Sequence, residues 1–588
     1  MATAEYGFWP AGRARDKPAL GGDLCGCYNR GQEGPCARPH RRVNMRSTMP
    51  DFPLTLQHFL WRSTTLFPKK EIVSKQETGV HRYTYGEFGG RVAQLGHALR
   101  ELGIGPSDRV ATFAWNNHRH LELYFAIPCT GAVLHTLNIR LFPEHLEFIV
   151  KDAEDKVIFI DPSVLPALER LAGKLPTVKQ YVLMTDGPLP ESRLQPMLSY
   201  EELIAGKPVS YPWPDLDERD AAAMCYTSGT TGKPKGVVYS HRSSFLHALG
   251  TWTQGEIGLG EVDVVLPVVP MFHANAWGLP YAATMVGAKQ VFPDRFLDPK
   301  NLSELMAAEG VTYTAGVPTV WIALQQYLEK TGTSLPALKR IGCGGSAVSA
   351  ALMEGMAKQG LDIMHAWGMT ETSPVATFGH VKSYLRSSPE DDRKLKLKQG
   401  FPCPAVELRL ASVENGQVLP WDGKAVGEIQ VRGPWITSSY FRGADPDRFT
   451  ADGWLRTGDV ANIDPEGYVQ IVDRTKDLVK SGGEWISSVE LESCIMGHPK
   501  VLEAAVIGVP HPKWQERPIA YVVPKPEAKE SVTQEEILEY LRPRVAKWWL
   551  PDEVRFIDEV PKTSVGKFDK KVLREQAARQ PVTAAPSE

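Results

Sequence analysis

Short β-branched runs alternate with amphipathic helical patterns from Pro53 onward, and this alternation constrains the fold more than any other feature. Arg109–Phe113 and Lys156–Ile160 are apolar runs bounded by turn residues. Apolar residues recur at helical spacing over Val92–Leu102, and Gly103 is a candidate C-cap for that helix. Strands separated by helices predict crossover connections and largely parallel sheets. The chain is therefore expected to be an α/β protein.

The C-terminal part is predicted to be a smaller α+β unit. Val501–Val509 and Ile519–Val523 have strand character, and a helix is expected to begin at Thr533. The spacing of Thr533 to Glu536 fits a capping box, in which each residue satisfies a backbone N–H of the other. A hairpin-like turn at Asp464–Gly467 precedes this unit.

These patterns divide the chain into two unequal domains, whose seam is a natural place for a ligand. The predicted divisions are a disordered leader (1–48), a large domain (49–472), a hinge (473–478), a small mobile domain (479–580) and a tail (581–588).

Charge and composition exclude several classes of protein. The chain has 588 residues, with 66 Lys+Arg against 69 Asp+Glu and a net charge of −3, which disfavours a nucleic-acid binder. The charged fraction of 23% with 9% aromatic residues excludes bulk disorder, and eight cysteines are too few for a disulfide scaffold. The most apolar stretch, Val264–Ala288, is interrupted by prolines and polar residues, so no transmembrane segment is predicted. Composition therefore predicts a large soluble globular protein of the cytoplasm and indicates nothing more specific.

The leader differs in composition from the rest of the chain, being rich in Gly, Arg and Pro. It holds four candidate metal ligands, namely Cys25, Cys27, Cys36 and His40. Their spacing matches no standard zinc site closely. We expect a disordered tail, or a natural start at Met45 or Met49.

A loop dense in hydrogen-bond donors follows the strand-like Ala221–Tyr226. Tyr226–Gly236 contains three Gly, two Lys and four Ser or Thr side chains. Small residues let backbone N–H groups approach phosphate oxygens, and hydroxyl and ammonium groups add further donors. Pro234 follows Gly232 and Lys233 where a Walker A loop requires Ser or Thr, so a P-loop ATPase is disfavoured. The loop therefore predicts phosphate binding of another type.

Seven ordered motifs resemble those of the adenylate-forming (AMP-binding) superfamily, over roughly residues 50 to 575. They are Tyr226–Gly236, Met271–Trp277, Trp367–Pro374, Gly453–Asp459, Asp473–Leu478, Lys480–Glu484 and Pro561–Lys567. The resemblance implies a large N-terminal domain of stacked, largely parallel sheets with helices. It also implies a small mobile α+β C-terminal domain, which rotates between two half-reactions and brings Ser481–Glu484 toward coenzyme A.

The reaction implied by the resemblance joins a carboxylate to AMP from ATP, releases pyrophosphate, and then forms a thioester with coenzyme A. The sequence is most similar to bacterial medium- and long-chain fatty acyl-CoA synthetases. A ligase for a shorter, aryl or sulfur-containing acid is an alternative. An enzyme that passes the acyl group to a carrier protein, a luciferase-like oxygenase and a non-catalytic nucleotide-binding protein are further alternatives.

The resemblance also assigns residues to the phosphates and the metal. The phosphate cradle comprises Thr227, Ser228, Gly229, Thr230, Thr231, Gly232, Lys233 and Lys235. Mg²⁺ is expected at Glu371 and the Thr227 hydroxyl, and Thr370 at the α-phosphate. Lys567 would neutralise the substrate carboxylate and the α-phosphate as they approach, and His273 would lie near the carboxylate.

Further roles concern the nucleoside and the moving domain. The residues expected to flank the adenine are Gly345, His365, Ala366 and Trp367. Asp459 would accept from both ribose hydroxyls, as an acceptor-only carboxylate can, and Arg474 would add a ribose or phosphate contact. Lys476, Lys480 and Trp485 are expected on the nucleotide side. Asp473 is the expected hinge, as a loop residue able to absorb backbone rotation.

The acyl pocket is predicted around Trp277, which is either the gate of a fatty-acid tunnel or an ordinary core aromatic residue. Ala366 and Trp367 depart from many relatives by adding bulk beside this pocket, which leaves the length of the acid open. The predicted ligands are thus a fatty acid, ATP, coenzyme A and Mg²⁺. The resemblance also leaves open a homodimer and a transient contact with a membrane surface.

Overall fold

The computed structural model describes residues 47–227, 233–253, 257–481, 484–562 and 568–579. Its strands are β1 (Glu71–Lys75), β2 (Val80–Thr84), β3 (Arg109–Phe113), β4 (Val133–Thr136), β5 (Val157–Ile160), β6 (Gln180–Leu183), β7 (Met197–Ser199), β8 (Ala221–Tyr226), β9 (Gly236–Ser240), β10 (Val264–Pro267), β11 (Lys289–Phe292), β12 (Tyr313–Gly316), β13 (Arg340–Cys343), β14 (Asp362–Gly368), β15 (Val375–Phe378), β16 (Phe401–Pro402), β17 (Glu407–Ala411), β18 (Val418–Leu419), β19 (Gly427–Arg432), β20 (Leu455–Ile463), β21 (Val469–Arg474), β22 (Val479–Ser481), β23 (Glu484–Ile486), β24 (Val501–His511), β25 (Gln515–Pro524) and β26 (Glu553–Phe556).

Helices connect most of these strands. They are α1 (Gln57–Leu66), α2 (Tyr85–Glu101), α3 (His118–Cys129), α4 (Pro143–Ala153), α5 (Leu165–Glu169), α6 (Tyr200–Ile204), α7 (His241–Trp252), α8 (Leu279–Val286), α9 (Pro299–Glu309), α10 (Pro318–Thr331), α11 (Ala350–Lys358), α12 (Pro389–Leu397), α13 (Ser488–Met496), α14 (Gln534–Leu541) and α15 (Lys570–Arg579). Short 3₁₀ turns lie between several of them.

The chain divides into two units, with the boundary between Phe52 and Pro53. Only 47–52 of the first unit is described, so the candidate zinc ligands of the leader lie outside the described residues.

Two large sheets form the N-terminal part of the second unit. One has seven strands in the order β7-β6-β5-β3-β4-β8-β9, and all pairs but β8–β9 are parallel. The other has nine strands in the order β16-β15-β14-β13-β12-β10-β11-β1-β2, with a parallel centre and antiparallel ends. The predicted α/β architecture is thereby confirmed.

Local sequence signals explain several of these elements. All four residues of β4 and β5 are buried, which suits parallel strands covered on both faces. Helix α2 begins at the capping box formed by Thr84 and Glu87, and Gly103 beyond its end has a φ of +74°. Every residue of α3 is buried, because one extensive core cluster encloses it.

Two smaller sheets follow. Strands β17 to β21 form a five-stranded sheet in the order β18-β17-β19-β20-β21, with every pair antiparallel. The C-terminal sheet has the order β23-β22-β25-β24, with β26 added in parallel to β25. Helices α13 and α14 and strands β24 and β25 share an apolar core there. Of the capping box predicted at Thr533 and Glu536, the structure shows one half, in which the Thr533 hydroxyl accepts from the Glu536 N–H.

Candidate functional site

Thr227 and Lys235 form the neck of the predicted phosphate loop. The Thr227 N–H donates to the Lys235 carbonyl at 2.9 Å, and the Lys235 N–H donates to the Thr227 hydroxyl at 3.3 Å. The Lys235 ammonium pairs with Asp445, and the Lys233 ammonium lies 5.3 Å from the centre of the Phe148 ring. The loop itself, with the predicted contacts Ser228, Gly229, Thr230, Thr231 and Gly232, lies outside the described residues.

The Thr370–Glu371 turn, which carries the predicted metal carboxylate, is buried. The Tyr239 hydroxyl donates to the Thr370 carbonyl at 2.7 Å. The Tyr440 hydroxyl donates to Glu371 Oε1 at 2.6 Å, and the Thr437 N–H donates to the Glu371 carbonyl at 2.8 Å. The end of β9 and the connection that follows β19 thus meet at this turn, and Tyr440 alone of these three residues bonds the carboxylate.

Asp459 collects two charge-assisted contacts from predicted nucleotide residues. The Trp367 indole N–H donates to Asp459 Oδ2 at 2.8 Å, and Arg474 Nε lies 3.1 Å from Asp459 Oδ1. Asp459 and Arg474 are register partners on β20 and β21, whereas Trp367 comes from the end of β14. The fold therefore brings together three residues that are distant in sequence and that the motifs assign to the adenine and the ribose.

The predicted adenine residues lie at the ends of two adjacent parallel strands. Gly345 follows β13 with a φ of +86°, a left-handed conformation that favours glycine, and His365 and Ala366 belong to β14. A Cβ on the neighbouring Gly344 would lie 2.8 Å from the Ala366 carbonyl oxygen, so a side chain there would clash. Burial lowers the pKa of His365 to about 4, which keeps its imidazole neutral near pH 7.

The segment that carries Trp277 is a run of left-handed residues. Ala274, Asn275, Ala276 and Trp277 have φ values of 42°, 53°, 49° and 58°. Non-glycine residues are strained there, by roughly 1–2 kcal/mol each, and persist where their surroundings hold them. The Trp252 indole N–H donates to the Trp277 carbonyl at 3.0 Å, and the Cys225 thiol donates to Asn275 Oδ1 at 3.1 Å. The turn is thus fastened to α7 and β8.

The indole of Trp277 borders the nucleotide side of the site. A Cβ added at Gly344 would lie 3.3 Å from Trp277 Cη2, so this ring packs against the end of β13. The predicted gate, Trp277, and the strand ends predicted to flank the adenine are therefore neighbours. His273, predicted near the carboxylate, is half-buried and immediately precedes the left-handed run.

A small cavity adjoins this turn. Its lining comprises Tyr239, Ser244, His247, Asn275, Gly278, Tyr281 and Ser373. Tyr239 and Ser373 connect the cavity to the Thr370–Glu371 turn, while Asn275 and Gly278 connect it to the Trp277 turn. Burial lowers the pKa of His247 to about 3, so its ring is neutral, and its Nε2 accepts from the Val375 N–H at 3.3 Å. At about 10 Å³ the cavity has room for little more than one water molecule, and most of its lining side chains are polar.

The remaining predicted contacts belong to the C-terminal sheet and its approach. Lys480 and Trp485 face each other across β22 and β23, with the ammonium 5.1 Å from the ring centre. The Lys476 carbonyl accepts from Arg574 at 3.2 Å. Lys567, the predicted catalytic lysine, lies outside the described residues.

The prediction that Asp473 lies in a loop is wrong. It is a buried residue of β21, paired in register with Val460, and its Oδ2 accepts from the Ser488 N–H at 2.7 Å and the Ser488 hydroxyl at 2.6 Å. The run of polar residues after Asp473 suggested a loop, but β20 supplies an antiparallel partner that extends the strand. The carboxylate then caps α13. A hinge motion at Asp473 would therefore have to break its bonds to Ser488 or move α13 together with it.

Oxygen donors at this site suit Mg²⁺, which takes oxygen ligands and commonly uses one or two carboxylates with substrate phosphates. The buried carboxylate of Glu371 supplies such a ligand, and the hydroxyl of Thr227 is a second oxygen donor. Across the described ranges, no three His, Cys, Asp or Glu side chains cluster as a site built from protein ligands alone would require.

Three residues at the site carried no signal in the sequence. Tyr440, Asp445 and Tyr239 contact Glu371, Lys235 and Thr370, respectively. Their partners are far away along the chain, 69 residues in the case of Tyr440. Only an alignment of relatives or the tertiary structure could have identified them.

Comparison with known families follows the same division of the chain. The AMP-binding enzyme family matches residues 60–441, and the AMP-binding enzyme C-terminal domain matches residues 490–567. The chain is 53% identical to a long-chain-fatty-acid–CoA ligase of Thermus thermophilus, over 90% of this chain and 97% of that protein. It is 45% identical to a 3-methylmercaptopropionyl-CoA ligase of Ruegeria lacuscaerulensis, over 89% of this chain and 97% of that protein. It is 44% identical to a medium-chain-fatty-acid–CoA ligase of Ectopseudomonas oleovorans, over 86% and 93%.

Solved structures give a concordant result. An anthranilate CoA ligase in complex with anthranoyl-AMP superposes with a TM-score of 0.81 at 26% identity, over 90% of this chain and 99% of that one. The ATP-bound MatB of Rhodopseudomonas palustris superposes with a TM-score of 0.76 at 29% identity, with the same coverage. By sequence, by fold and by the grouping of its motifs, the chain belongs to the AMP-binding enzyme family.

Proposed function

We propose that this chain is an ATP-dependent acyl-CoA ligase that activates a medium- or long-chain fatty acid through an acyl-adenylate, releasing AMP and pyrophosphate. The observation that carries the proposal is the grouping of Asp459, Trp367 and Arg474 beside the Glu371 turn. High identity to two fatty-acid–CoA ligases, over most of each chain, supports the class of substrate.

Adenylation requires cations and hydrogen-bond donors to be in place around the α-phosphate before the carboxylate attacks. A carboxylate oxygen cannot leave, so adenylation converts it into a phosphate ester that can, and this divides a difficult step into two easier ones. Negative charge gathers as the carboxylate approaches, and preorganised donors stabilise it. In this proposal Lys235 and the phosphate loop hold the phosphates, and Lys567 screens the two anions from each other.

The nucleoside and the metal would be held by the residues described above. Asp459 would accept from the ribose hydroxyls with the lone pairs that its contacts with Trp367 and Arg474 leave over. Glu371 and Thr227 would hold Mg²⁺, which would neutralise charge on the phosphate oxygens. The strand end at Gly345, His365 and Ala366 would flank the adenine.

The acyl chain would lie beside the left-handed turn, with Trp277 as its gate and His273 near the carboxylate. The cavity at this turn is far smaller than an acyl chain, so entry of the chain would require Trp277 and its neighbours to move. Lys476, Lys480 and Trp485 remain proposed contacts on the nucleotide side, and Asp473 the proposed pivot of a mobile C-terminal domain.

The decisive experiment incubates purified protein with ATP, Mg²⁺, coenzyme A and saturated acids from C2 to C18, with 3-methylmercaptopropionate and benzoate included. We expect acyl-CoA and AMP in equal amounts, with the highest kcat/KM between C8 and C18. Transfer of the acyl group to another acceptor, without a CoA thioester, would contradict the proposal.

A variant separates the two half-reactions. Lys567→Ala should abolish acid-dependent ATP–pyrophosphate exchange and yet form the thioester from supplied acyl-adenylate, because the screening ammonium serves only the first step. Lys571→Ala is the matched control, since that side chain is 73% exposed and belongs to α15 outside the proposed site. Wild-type exchange in Lys567→Ala would remove the assigned role.

Assembly and location complete the proposal. We infer a cytoplasmic enzyme, a homodimer and at most a transient contact with membranes, on the resemblance to fatty-acid ligases. Within the residues that the structure describes, no helix has the length and apolar character needed to cross a bilayer. Sedimentation of the purified protein, alone and with lipid vesicles, tests the homodimer and the contact with membranes.

A further inference from the structure

Tyr440 is a buried phenol that the proposed mechanism does not use. It lies in the connection between β19 and β20, ahead of the Gly453–Asp459 motif and in none of the sequence motifs. Its side chain contacts Glu371, and the two residues are 4% and 5% exposed. A phenol is protonated near neutral pH, so its hydroxyl donates to the carboxylate, here at 2.6 Å from Oε1.

The contact is part of a wider attachment between two segments. The Thr437 N–H donates to the Glu371 carbonyl at 2.8 Å, and the Ser373 hydroxyl donates to the Trp435 carbonyl at 2.7 Å. One backbone bond and one side-chain bond therefore attach the connection to the segment from Glu371 to Ser373. With the backbone fixed at these points, the phenol is aimed at one oxygen of Glu371.

The same connection also reaches the phosphate loop. The Lys235 ammonium lies 5.3 Å from the centre of the Tyr440 ring, and it pairs with Asp445 a few residues further on. The ring of Tyr440 thus lies beside both the proposed metal carboxylate and a proposed phosphate-binding lysine. Its edge packs against Phe449, with ring centres 5.6 Å apart.

We propose that Tyr440 is a positioning residue for the Glu371 carboxylate in Mg²⁺-dependent nucleotide binding. Its hydroxyl donates to Oε1 and so fixes the rotation of the carboxylate group. Oε2 is then the oxygen that would bind the metal. Hydrogen bonds to a charged group are the stronger kind, and a buried carboxylate oxygen that loses its donor is strongly disfavoured. The inference rests on the proposed function, because that function assigns Mg²⁺·ATP to this site.

The size of the effect follows from comparable metal sites. Removing a group that orients a metal-binding side chain typically lowers metal affinity 10- to 100-fold. Tyr440→Phe deletes only the hydroxyl and keeps the ring against Phe449 and Lys235. A purely structural tyrosine would instead change thermal stability without changing the response to Mg²⁺.

The test is calorimetric titration of ATP into the full-length protein at a series of Mg²⁺ concentrations. In Tyr440→Phe we expect the half-saturating Mg²⁺ concentration to rise about 10- to 100-fold, with ATP binding in EDTA unchanged. Tyr468→Phe is the matched control, since its buried hydroxyl donates to the His380 carbonyl at 2.9 Å in a different part of the fold. That control should keep the wild-type response to Mg²⁺.

A double-mutant cycle identifies the partner through which Tyr440 acts. On a Glu371→Gln background, Tyr440→Phe should cause no further loss of Mg²⁺ response. A full additional loss there, or a wild-type Mg²⁺ response in the single variant, would overturn the inference.

The outcomes also separate this inference from the proposed function. If the wild-type protein binds Mg²⁺·ATP but forms no acyl-CoA, the proposed function fails while the calorimetric prediction for Tyr440 stands. If it forms acyl-CoA and Tyr440→Phe responds normally to Mg²⁺, only the inference fails. A wild-type protein that binds no Mg²⁺·ATP would refute both.

Discussion

Lys570 is a buried lysine three positions after the predicted catalytic Lys567, and its removal should loosen the C-terminal domain. Its ammonium lies 2.7 Å from Glu492 Oε1 and donates to the Ser488 hydroxyl, and the Lys570 and Glu492 side chains are 10% and 7% exposed. Burial alone would lower the pKa of Lys570, but Glu492 and Asp473 raise it, so the residue is charged. The pair connects α15 to α13 and to the end of β21.

The magnitude follows from what Lys570→Met leaves behind. The Glu492 carboxylate would keep its bond from the Val506 N–H at 2.7 Å but would lose its counter-charge. Breaking a buried ion pair on one side costs about 3–5 kcal/mol, because the remaining charge is buried without compensation. We expect a loss of that size in the free energy of local opening around Glu492.

Hydrogen exchange is the appropriate assay, because a chain of several domains does not unfold in one two-state step. The amides of α13 and β24 should exchange roughly 100- to 5,000-fold faster in Lys570→Met. The exposed neighbour Lys571→Met, in contrast, should change the local free energy by less than about 0.5 kcal/mol.

A second substitution tests whether the uncompensated Glu492 charge causes the loss of stability. Adding Glu492→Gln to Lys570→Met removes the stranded charge and keeps an acceptor for the Val506 N–H. It should therefore recover at least about 2 kcal/mol of the loss. The reasoning is refuted if Lys570→Met loses less than about 1 kcal/mol, or if Glu492→Gln makes the double variant less stable still.

Two further predictions concern the site. Trp367→Phe should raise the KM for ATP about tenfold, because Asp459 loses the indole N–H that lies 2.8 Å away. Tenfold corresponds to about 1.4 kcal/mol, the contribution of one hydrogen bond to a charged group. An unchanged KM for ATP in steady-state kinetics would contradict this prediction. Burial lowers the pKa values of His120, His241, His247 and His365 to about 4, 4, 3 and 4. The unfolded chain takes up these protons first, so stability should fall as pH drops below the ordinary value near 6.5. Thermal melts of His247→Gln should show a shallower acid slope, by up to about 1.4 kcal/mol per pH unit, and an unaltered slope would contradict the cause.

Much of the fold could be predicted from local patterns. The strands Arg109–Phe113 and Ala221–Tyr226 have the predicted bounds, and the helix of Val92–Leu102 is the second half of α2. These elements follow from apolar periodicity and turn residues over short stretches, which the sequence displays directly. The antiparallel sheet of β17 to β21 was missed, because its strand pairing depends on contacts outside each strand.

Parts of the site were predictable for a different reason. Glu371, Asp459 and Arg474 belong to motifs, so their resemblance to a family suggested them before any geometry was known. The loop expected at Asp473 became part of β21 because its pairing with Val460 lies across a hairpin. Local composition indicates polarity at such a position, but it does not say whether a partner strand is present.

The sequence by itself therefore determined the α/β class and the family, because each depends on residues close together in the chain. Only the tertiary structure decided that Tyr440 bonds Glu371, that Asp445 pairs with Lys235 and that Trp367 donates to Asp459. The partners are separated by 69, 210 and 92 residues. Contacts over such separations arise from the packing of sheets and connections, and no local pattern of charge or hydrophobicity encodes them.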